Sequence, residues 1–341
     1  MTRLVQAMAG APHGGAEAFF ERLAIALGRA GEEQRLAIRP EPERVARLRG
    51  AGLAVDELAF GRVFDFVTTR RLARLIRDFA PRVVLSWMSR ATIYIPRGDF
   101  VHVARLGGYY DLGYYKHCDH LIGNTRSLAA WMVKEGWPEN RVHYLPNFVD
   151  DSAMPPLPRA SLDTPEGAPL ALALGRLHPN KGFDRLLEAV AQVDGLYLWL
   201  AGEGPLDRAL KRQARTLGIE ARVRFLGWRR DVAALLAAAD MLVCSSRSEP
   251  LGNTILEAWA ARRAVIASAA SGPVELIEPE KTGILVPVDD AAALAAAMRA
   301  LAADAPRRAA LGAAGRAAFA AQFSEAAVVA RYRDFLATVE R

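Results

Sequence analysis

The sequence predicts an α/β protein made of two doubly wound parallel sheets. Short apolar runs alternate with longer amphipathic stretches, the alternation stops once at a Pro-rich segment, and it then restarts with a similar strand, Gly-containing loop and helix. At 341 residues and 52% hydrophobic, the chain is long enough for two domains and apolar enough to bury a large core.

The runs RLVQAM, QRLAI, RVVLSW, FVHVARL and DHLIG read as strands, separated by helical stretches such as 16–30, 68–80 and 125–136. Residues 145–169, rich in Pro, Ser and Asp, break the rhythm and read as a linker. Strand-like LALALGRL, LYLWLAG, VRFLG, MLVCS and AVIAS follow, with helices expected near 183–193, 205–217, 231–239 and 253–262. After GILVPVDD the chain is Ala-rich and helical, with breaks near Pro306 and before Ser324. The expected arrangement is two domains, 1–155 and 156–324, facing a cleft.

Composition removes several function classes. No apolar run reaches the roughly 18 residues of a membrane span, and the opening MTRLVQAMAG has no basic leader before a long apolar region, so a cytoplasmic protein is expected. Cys118 and Cys244 are far apart, with no Cys-x-x-Cys spacing and no Cys/His cluster, which argues against a disulfide framework or structural zinc. His117 and His120 flank Cys118 without a further ligand and are expected to be ordinary surface and core positions. Residues 1–160 hold 22 Lys and Arg against 17 Asp and Glu, so most of the net charge of +6 is N-terminal. In TTRRLARLIRDFAPR, Leu72, Leu75, Ile76 and Phe79 recur at helical spacing while Arg70, Arg71, Arg74 and Arg77 fall largely outside that stripe. A solvated basic helix face explains this, as does a docking surface for anionic lipid or a phosphorylated acceptor. Nucleic acid is not expected, because no recognition motif is present.

The loops after the first strand of each half carry the chemistry. Gly10, Gly14 and Gly15 in the first do not form Gly-x-Gly-x-x-Gly with its ribose-binding acid, nor is there a Gly-x-x-x-x-Gly-Lys-Ser/Thr loop, so nicotinamide and P-loop enzymes are poorly supported. In GRLHPNKG, Arg176 and Lys181 stand five residues apart at a strand's carboxyl end and suit a diphosphate; solvated loop cations are the simpler alternative. No Asp-x-Asp offers a divalent-ion site. In SEPLGNTILEA, Glu249 precedes a helix whose expected N-cap is Asn253, and Glu257 lies one turn inside it. The backbone N–H groups of Gly252 to Thr254 are candidates for a phosphate. Glu257 alone is explained by dipole compensation, whereas Glu249 sits where such sheets contact ligands.

GRLHPNKG, the pair of Glu residues at 249 and 257, the early HGGAE and the linker entry LPNFVD together resemble the retaining glycosyltransferases of family four, which have the GT-B fold. The resemblance covers nearly the whole chain, and RLGGYYDLGYYKHCDHLIGNT looks most like bacterial enzymes that extend lipopolysaccharide cores. It implies transfer of a hexose from a nucleoside diphosphate sugar, UDP-sugar favoured, to a saccharide or glycolipid, with retention of configuration and with no metal or other cofactor. Arg176 and Lys181 would hold the diphosphate, Glu249 the sugar hydroxyls and Glu257 the ribose diol. Gly252, Asn253 and Thr254 would offer backbone N–H groups, Gly227 and Trp228 would flank the base, and Gly14 and Gly15 would let the N-terminal loop approach the donor.

Family members often carry a histidine after a strand of the first domain. Here His102 falls inside that strand, and Arg105 or the Gly107-Gly108 turn takes the approximate place, making Arg105 a candidate substrate contact. Phe148 replaces the family's glycine after the linker Asn. Closure at a hinge in NFVDD, with 325–341 packing back on the first domain, is expected. Peripheral contact with the inner membrane face through the basic N-terminal half is expected as well. An epimerase or phosphorylase on the same fold, or an inactive nucleotide-binding protein, are the alternatives.

Overall fold

The computed structural model describes residues 2–12, 14–61 and 65–340. They form two compact units, Met1–Phe148 with Glu325–Arg341, and Val149–Ser324. His13 of the HGGAE stretch lies outside the described residues.

The first unit contains β1 (Arg3–Met8), α1 (Gly15–Arg29), β2 (Glu33–Ile38), α2 (Pro42–Gly50), β3 (Ala54–Glu57), α3 (Phe66–Phe79), β4 (Val83–Trp87), α4 (Met88–Thr92), β5 (Val101–Leu106), β6 (His120–Gly123), α5 (Arg126–Lys134) and β7 (Val142–Tyr144). The strands make a parallel sheet in the order β3-β2-β1-β4-β5-β6-β7. Its central strands are buried end to end, which is why they read as continuous apolar runs. Helix α1 forms because Phe19, Phe20, Leu23 and Leu27 recur on one face and bury completely, each contributing about 1.5–3 kcal/mol relative to exposure. Gln6 from β1 donates to Gln34 Oε1 on β2 at 2.7 Å and accepts from Trp87 Nε1 on β4 at 2.9 Å, so a buried polar chain crosses three strands fully paired.

The second unit contains β8 (Leu170–Leu174), α6 (Phe183–Ala191), β9 (Tyr197–Ala201), α7 (Asp207–Thr216), β10 (Val223–Gly227), α8 (Val232–Ala238), β11 (Met241–Cys244), α9 (Asn253–Ala260), β12 (Ala264–Ser268), α10 (Ser271–Leu276), β13 (Ile284–Val286), α11 (Ala291–Ala303) and α12 (Ala305–Gln322). Its parallel sheet runs β10-β9-β8-β11-β12-β13.

The boundary expected at 155/156 falls instead at 148/149. Val149 is 1% exposed in the second unit's core, and Leu157 and Leu162 pack against the same cluster. The Arg159 guanidinium donates to the carbonyls of Glu166, Ala168 and Ala238, and Trp199 Nε1 donates to Thr164 Oγ1 at 2.9 Å. From Leu157 onward, the Pro-rich stretch read as a linker is therefore a packed belt on the second unit.

The last helix, α13 (Glu325–Val339), belongs to the first unit, where Val328, Tyr332 and Leu336 join the apolar cluster that also holds Phe19 and Phe20. Arg105 fastens it. Its Nε donates to Tyr332 Oη at 2.9 Å and its Nη2 to Asn147 Oδ1, while the guanidinium lies over the rings of Phe19 and Trp87 at 4.6 and 4.8 Å. At 2% exposure this is a core cation stabilised by aromatic faces, which corrects its expected role as a substrate contact.

His102 is also a core residue, with Nε2 at 2.9 Å from Ser86 Oγ and its backbone N–H donating to Asp119 Oδ2. Burial pushes its pKa from the ordinary 6.5 down to about 4, against the opposing pull of Asp119. The unfolded chain therefore binds the proton first as pH falls. The stability from keeping His102 neutral is complete above about pH 6.5 and is lost toward pH 4, on the order of 3 kcal/mol. Burial and the neighbouring His120 push His143 to about 4 as well, with the same sign. The melting temperature should drop between pH 6.5 and 4, and a His102→Gln variant should lose less over that interval; parallel pH profiles would contradict the assignment.

Candidate active site

In the second sheet the chain proceeds outward from β8 in one direction and from β11 in the other, so their carboxyl ends form the crevice at which open α/β sheets bind ligands. GRLHPNKG follows β8 and SSRSEPLG follows β11. The two loops are bonded to each other. The N–H groups of Arg247 and Ser248 donate to the Asn180 carbonyl at 2.8 and 3.2 Å, and Ser245 Oγ donates to the Lys181 carbonyl at 2.9 Å.

This contact places Lys181 against Glu249. The Lys181 ammonium pairs with Glu249 Oε2, which also accepts from Ser246 Oγ at 3.2 Å; the two side chains retain 22% and 12% exposure. Glu249 Oε1 has no partner among the described residues and is left to accept from a ligand. Arg176, on the same loop as Lys181, is exposed and makes no ion pair or hydrogen bond among the described residues. Burial pushes the thiol of Cys244, at the end of β11, up from its ordinary value.

Helix α9 begins at Asn253, separated from Glu249 by three loop residues. Its N-cap is Gly252 in the left-handed region (φ 88°) and not Asn253, which is the first helical residue. A Cβ at 252 would also stand 3.1 Å from Ile255 Cδ1 and 3.3 Å from Leu276 Cδ1. No side chain caps this helix, and the dipole at its first turn favours an anion. Glu257 is half-buried one turn in, while Ile255, Leu256 and Trp259 fill the core.

Loops after β9 and β10 join the same end. Gly175 N–H donates to the Ala201 carbonyl at 3.0 Å, Gly202 N–H to Gly227 at 2.8 Å and Leu177 N–H to Glu203 at 2.9 Å. Gly227 (φ 64°) turns the chain so that Trp228 is 67% exposed, with its N–H 3.3 Å from Glu203 Oε1. Gly14 and Gly15 lie in the first unit as the N-cap and first residue of α1, where a Cβ on Gly14 would strike the Glu17 carboxylate. Among the described residues no three His, Cys, Asp or Glu side chains gather as a metal-ligand group.

Residues 168–304 match the family model for glycosyl transferases group 1, and 13–153 match glycosyltransferase family 4. Over 325 residues the chain is 37% identical to the lipopolysaccharide core biosynthesis glycosyltransferase LpsD of Rhizobium meliloti, covering 94% of both chains. The chain belongs to glycosyltransferase family four. It is 35% identical to LpsE of the same organism, over 95% of this chain and 96% of that one. The crystal structure of Anabaena HepE in complex with UDP and glucose superposes with a TM-score of 0.84 at 19% identity, over 99% of this chain and all of that one. The lipopolysaccharide biosynthesis glycosyltransferase WaaG superposes at 0.73 over 98% of this chain and 99% of that one, at 19% identity. The fold of this family-four glycosyltransferase is GT-B.

In the glycosyltransferase the loops are set by residues that the sequence did not single out. Arg247 forks onto Asp184 at 2.8 and 2.6 Å, reaches Asp289 Oδ1 at 2.6 Å through Nε and donates to the Pro179 carbonyl at 2.8 Å. It ties both loops to α6 and holds the Asp184 carboxyl below its ordinary range. The Glu249 carbonyl accepts from Gly272 N–H at 2.8 Å, and a Cβ on Gly272 would stand 2.6 Å from that oxygen. In the first unit, Arg44 is 2% exposed and donates to the carbonyls of Ala11 and Pro12 at 3.1 and 2.9 Å, fixing the loop before α1. The only signals for these residues are polar SSRS at a strand end and Gly-rich loop entries, which do not name partners. Arg247→Ala should lower kcat/KM by about ten- to a hundredfold through misplacement of Lys181 and Glu249. Arg247→Lys should recover little, because an ammonium cannot fork; steady-state kinetics with a cognate donor checks both.

Proposed function

We propose that this glycosyltransferase moves a hexose from a nucleoside diphosphate sugar, UDP-sugar favoured, to a lipopolysaccharide-core saccharide or related surface glycan, with retained configuration and without a metal. The observation that carries the proposal is the Lys181–Glu249 pair at the β8/β11 crevice, with one carboxylate oxygen open and an uncapped helix start beside it. Arg176 and Lys181 stabilise the charge that develops on the departing diphosphate, and each offers on the order of 4 kcal/mol of attraction at 4 Å before desolvation. Glu249 Oε1 accepts from donor-sugar hydroxyls, Glu257 from the ribose, and the N–H groups of Gly252, Asn253 and Thr254 meet phosphate. Gly227 and Trp228 flank the base. The leaving phosphate accepts the acceptor's proton, so no separate protein base is needed. The names of the two Rhizobium relatives support the acceptor class, and the UDP in the HepE crystals supports the donor. We place the enzyme in the cytoplasm, in peripheral contact with the inner membrane face.

Incubation with UDP-, GDP- and ADP-sugars and a truncated lipopolysaccharide core tests this. Expected are sugar transfer from the UDP donor in the presence of EDTA and an unchanged anomeric configuration by NMR. Turnover without acceptor to an isomerised nucleotide sugar, or turnover requiring inorganic phosphate, would overturn it in favour of an epimerase or a phosphorylase.

A further inference from the structure

Two of the chain's six histidines meet through their ring nitrogens at the β7 edge of the first sheet, and the transfer chemistry uses neither. His120 opens β6 and His143 is the middle residue of β7. The strands pair with Ile122 opposite His143, so His120, Ile122 and His143 share one face, His120 lying diagonal to His143. His143 Nε2 stands 3.1 Å from His120 Nδ1, and the ring centroids are 5.1 Å apart. Helix α13 covers this face with the buried Phe335, whose ring centroid lies 4.6 Å from that of His143 and 6.3 Å from that of His120. The residues beside His120 in sequence are turned elsewhere: His117 Nδ1 lies 3.4 Å from Arg97 Nη2, and Cys118 Sγ lies 3.8 Å from His102 Nε2.

Two imidazole nitrogens at this spacing match one edge of a metal coordination shell. Zinc–nitrogen bonds of about 2.0–2.1 Å at a tetrahedral angle set their nitrogens about 3.3 Å apart. A small turn of either ring aims both lone pairs at one point beside the line that now joins the nitrogens. Burial and the neighbouring His120 hold the pKa of His143 down at about 4, so that ring is neutral at pH 7 and protons compete little for its lone pair. Both histidines are only half-buried, and among the described residues no third His, Cys, Asp or Glu joins them, so water completes the shell. Imidazole ligands of this kind suit zinc and copper(II) and not the hard magnesium or calcium ions.

We propose that His120 and His143 form a two-histidine site for a transition-metal ion, zinc or copper(II), which pins the edge strand β7 to β6 beneath α13. Strand β7 is the last before the chain leaves the first unit at Phe148, and α13 is where it returns, so the ion braces both segments. Lys181 and Glu249 belong to the other sheet's loops, and the site is independent of how the transfer reaction runs.

Calorimetric titration of zinc chloride into the full chain, first stripped with EDTA and dialysed, tests the assignment. Expected is one equivalent bound, at least about tenfold weaker in His120→Gln and in His143→Gln and unchanged in His117→Gln. Because a single imidazole does not chelate, the double variant should bind no more weakly than either single one. Zinc should raise the melting temperature of the intact chain and leave that of His143→Gln where it is. Where a variant does not fold, copper(II) with ascorbate on the intact chain reads the same contact, and mass spectrometry should find oxidised histidine at 120 and 143. Undiminished zinc binding in either single variant, oxidation concentrated at other histidines, or no saturable binding to the intact chain would overturn the site.

Discussion

Replacing Lys181 by alanine is expected to lower kcat/KM by about a hundred- to a thousandfold, the loss seen when one preorganised group that stabilises developing charge is removed. The fold should survive. The Lys181–Glu249 pair is partly exposed, and losing it should cost about 1 kcal/mol, a shift of a few degrees in melting temperature for a unit of this size. Glu249→Ala should cost a similar factor for a different reason, since it removes the oxygen left open for a sugar hydroxyl and also frees the ammonium from its anchor. Because each side chain positions the other, the double variant should be little worse than the poorer single one. Multiplicative losses in the double variant would mean that the two act independently, and full activity in both single variants would remove them from the site.

Gly182→Ala should be the most damaging conservative change in the second unit. Gly182 has φ 62°, and a Cβ there would stand 3.2 Å from the Ser245 carbonyl carbon and closer still to its oxygen. The strand-end loop and its neighbour meet at this point through the Asn180 and Lys181 carbonyls, so the added methyl must push them apart or distort both. A loss of about 2–4 kcal/mol is expected from the clash and strain together. Activity should fall in the same variant, since displacement of Lys181 by about 1 Å is enough for a large rate loss. Gly195→Ala is the control. It has φ 72° and nothing within 4 Å of its would-be Cβ, so it should cost only the left-handed strain of about 1 kcal/mol and leave activity intact. Urea unfolding of both variants separates the two effects, and equal losses would show that backbone strain alone is at work.

The parallel sheets were legible because buried central strands such as LALAL and VVLSW are continuous apolar runs, and because α1, α3 and α6 repeat apolar residues at helical spacing. Elements that bury little were not. Strand β3 has no fully buried residue, β7 has only three half-buried ones, and α2 buries just two apolar residues, Val45 and Leu48, beside the buried Arg44. Helix α10 is six residues long and contains Gly and Pro, which hides it from any periodicity. The stretch after residue 148 looked like a linker because Pro and Ser dominate it, while its anchors, Val149, Arg159 and Thr164, work through distant partners.

Residue types at strand ends pointed to the proposed site, but not to how its loops are held. Lys181 and Glu249 stand 68 positions apart, and their contact depends on Arg247, Gly182 and Gly272, none of which carries a sequence signal for it. Arg105 misled for the opposite reason. A cation at the carboxyl end of β5 has the address of a ligand contact, and only the packing of Phe19, Trp87 and Tyr332 around it shows that it is a core residue.

The central claim is that the crevice between β8 and β11 holds the donor's diphosphate through Lys181 and Arg176. Calorimetric titration of UDP in EDTA into the intact chain and into Lys181→Ala and Arg176→Ala tests it most directly. The expected result is saturable binding to the intact chain and at least about tenfold weaker binding to each variant, one lost charge-assisted contact apiece. Equal affinity in all three proteins would place the diphosphate elsewhere and contradict the account.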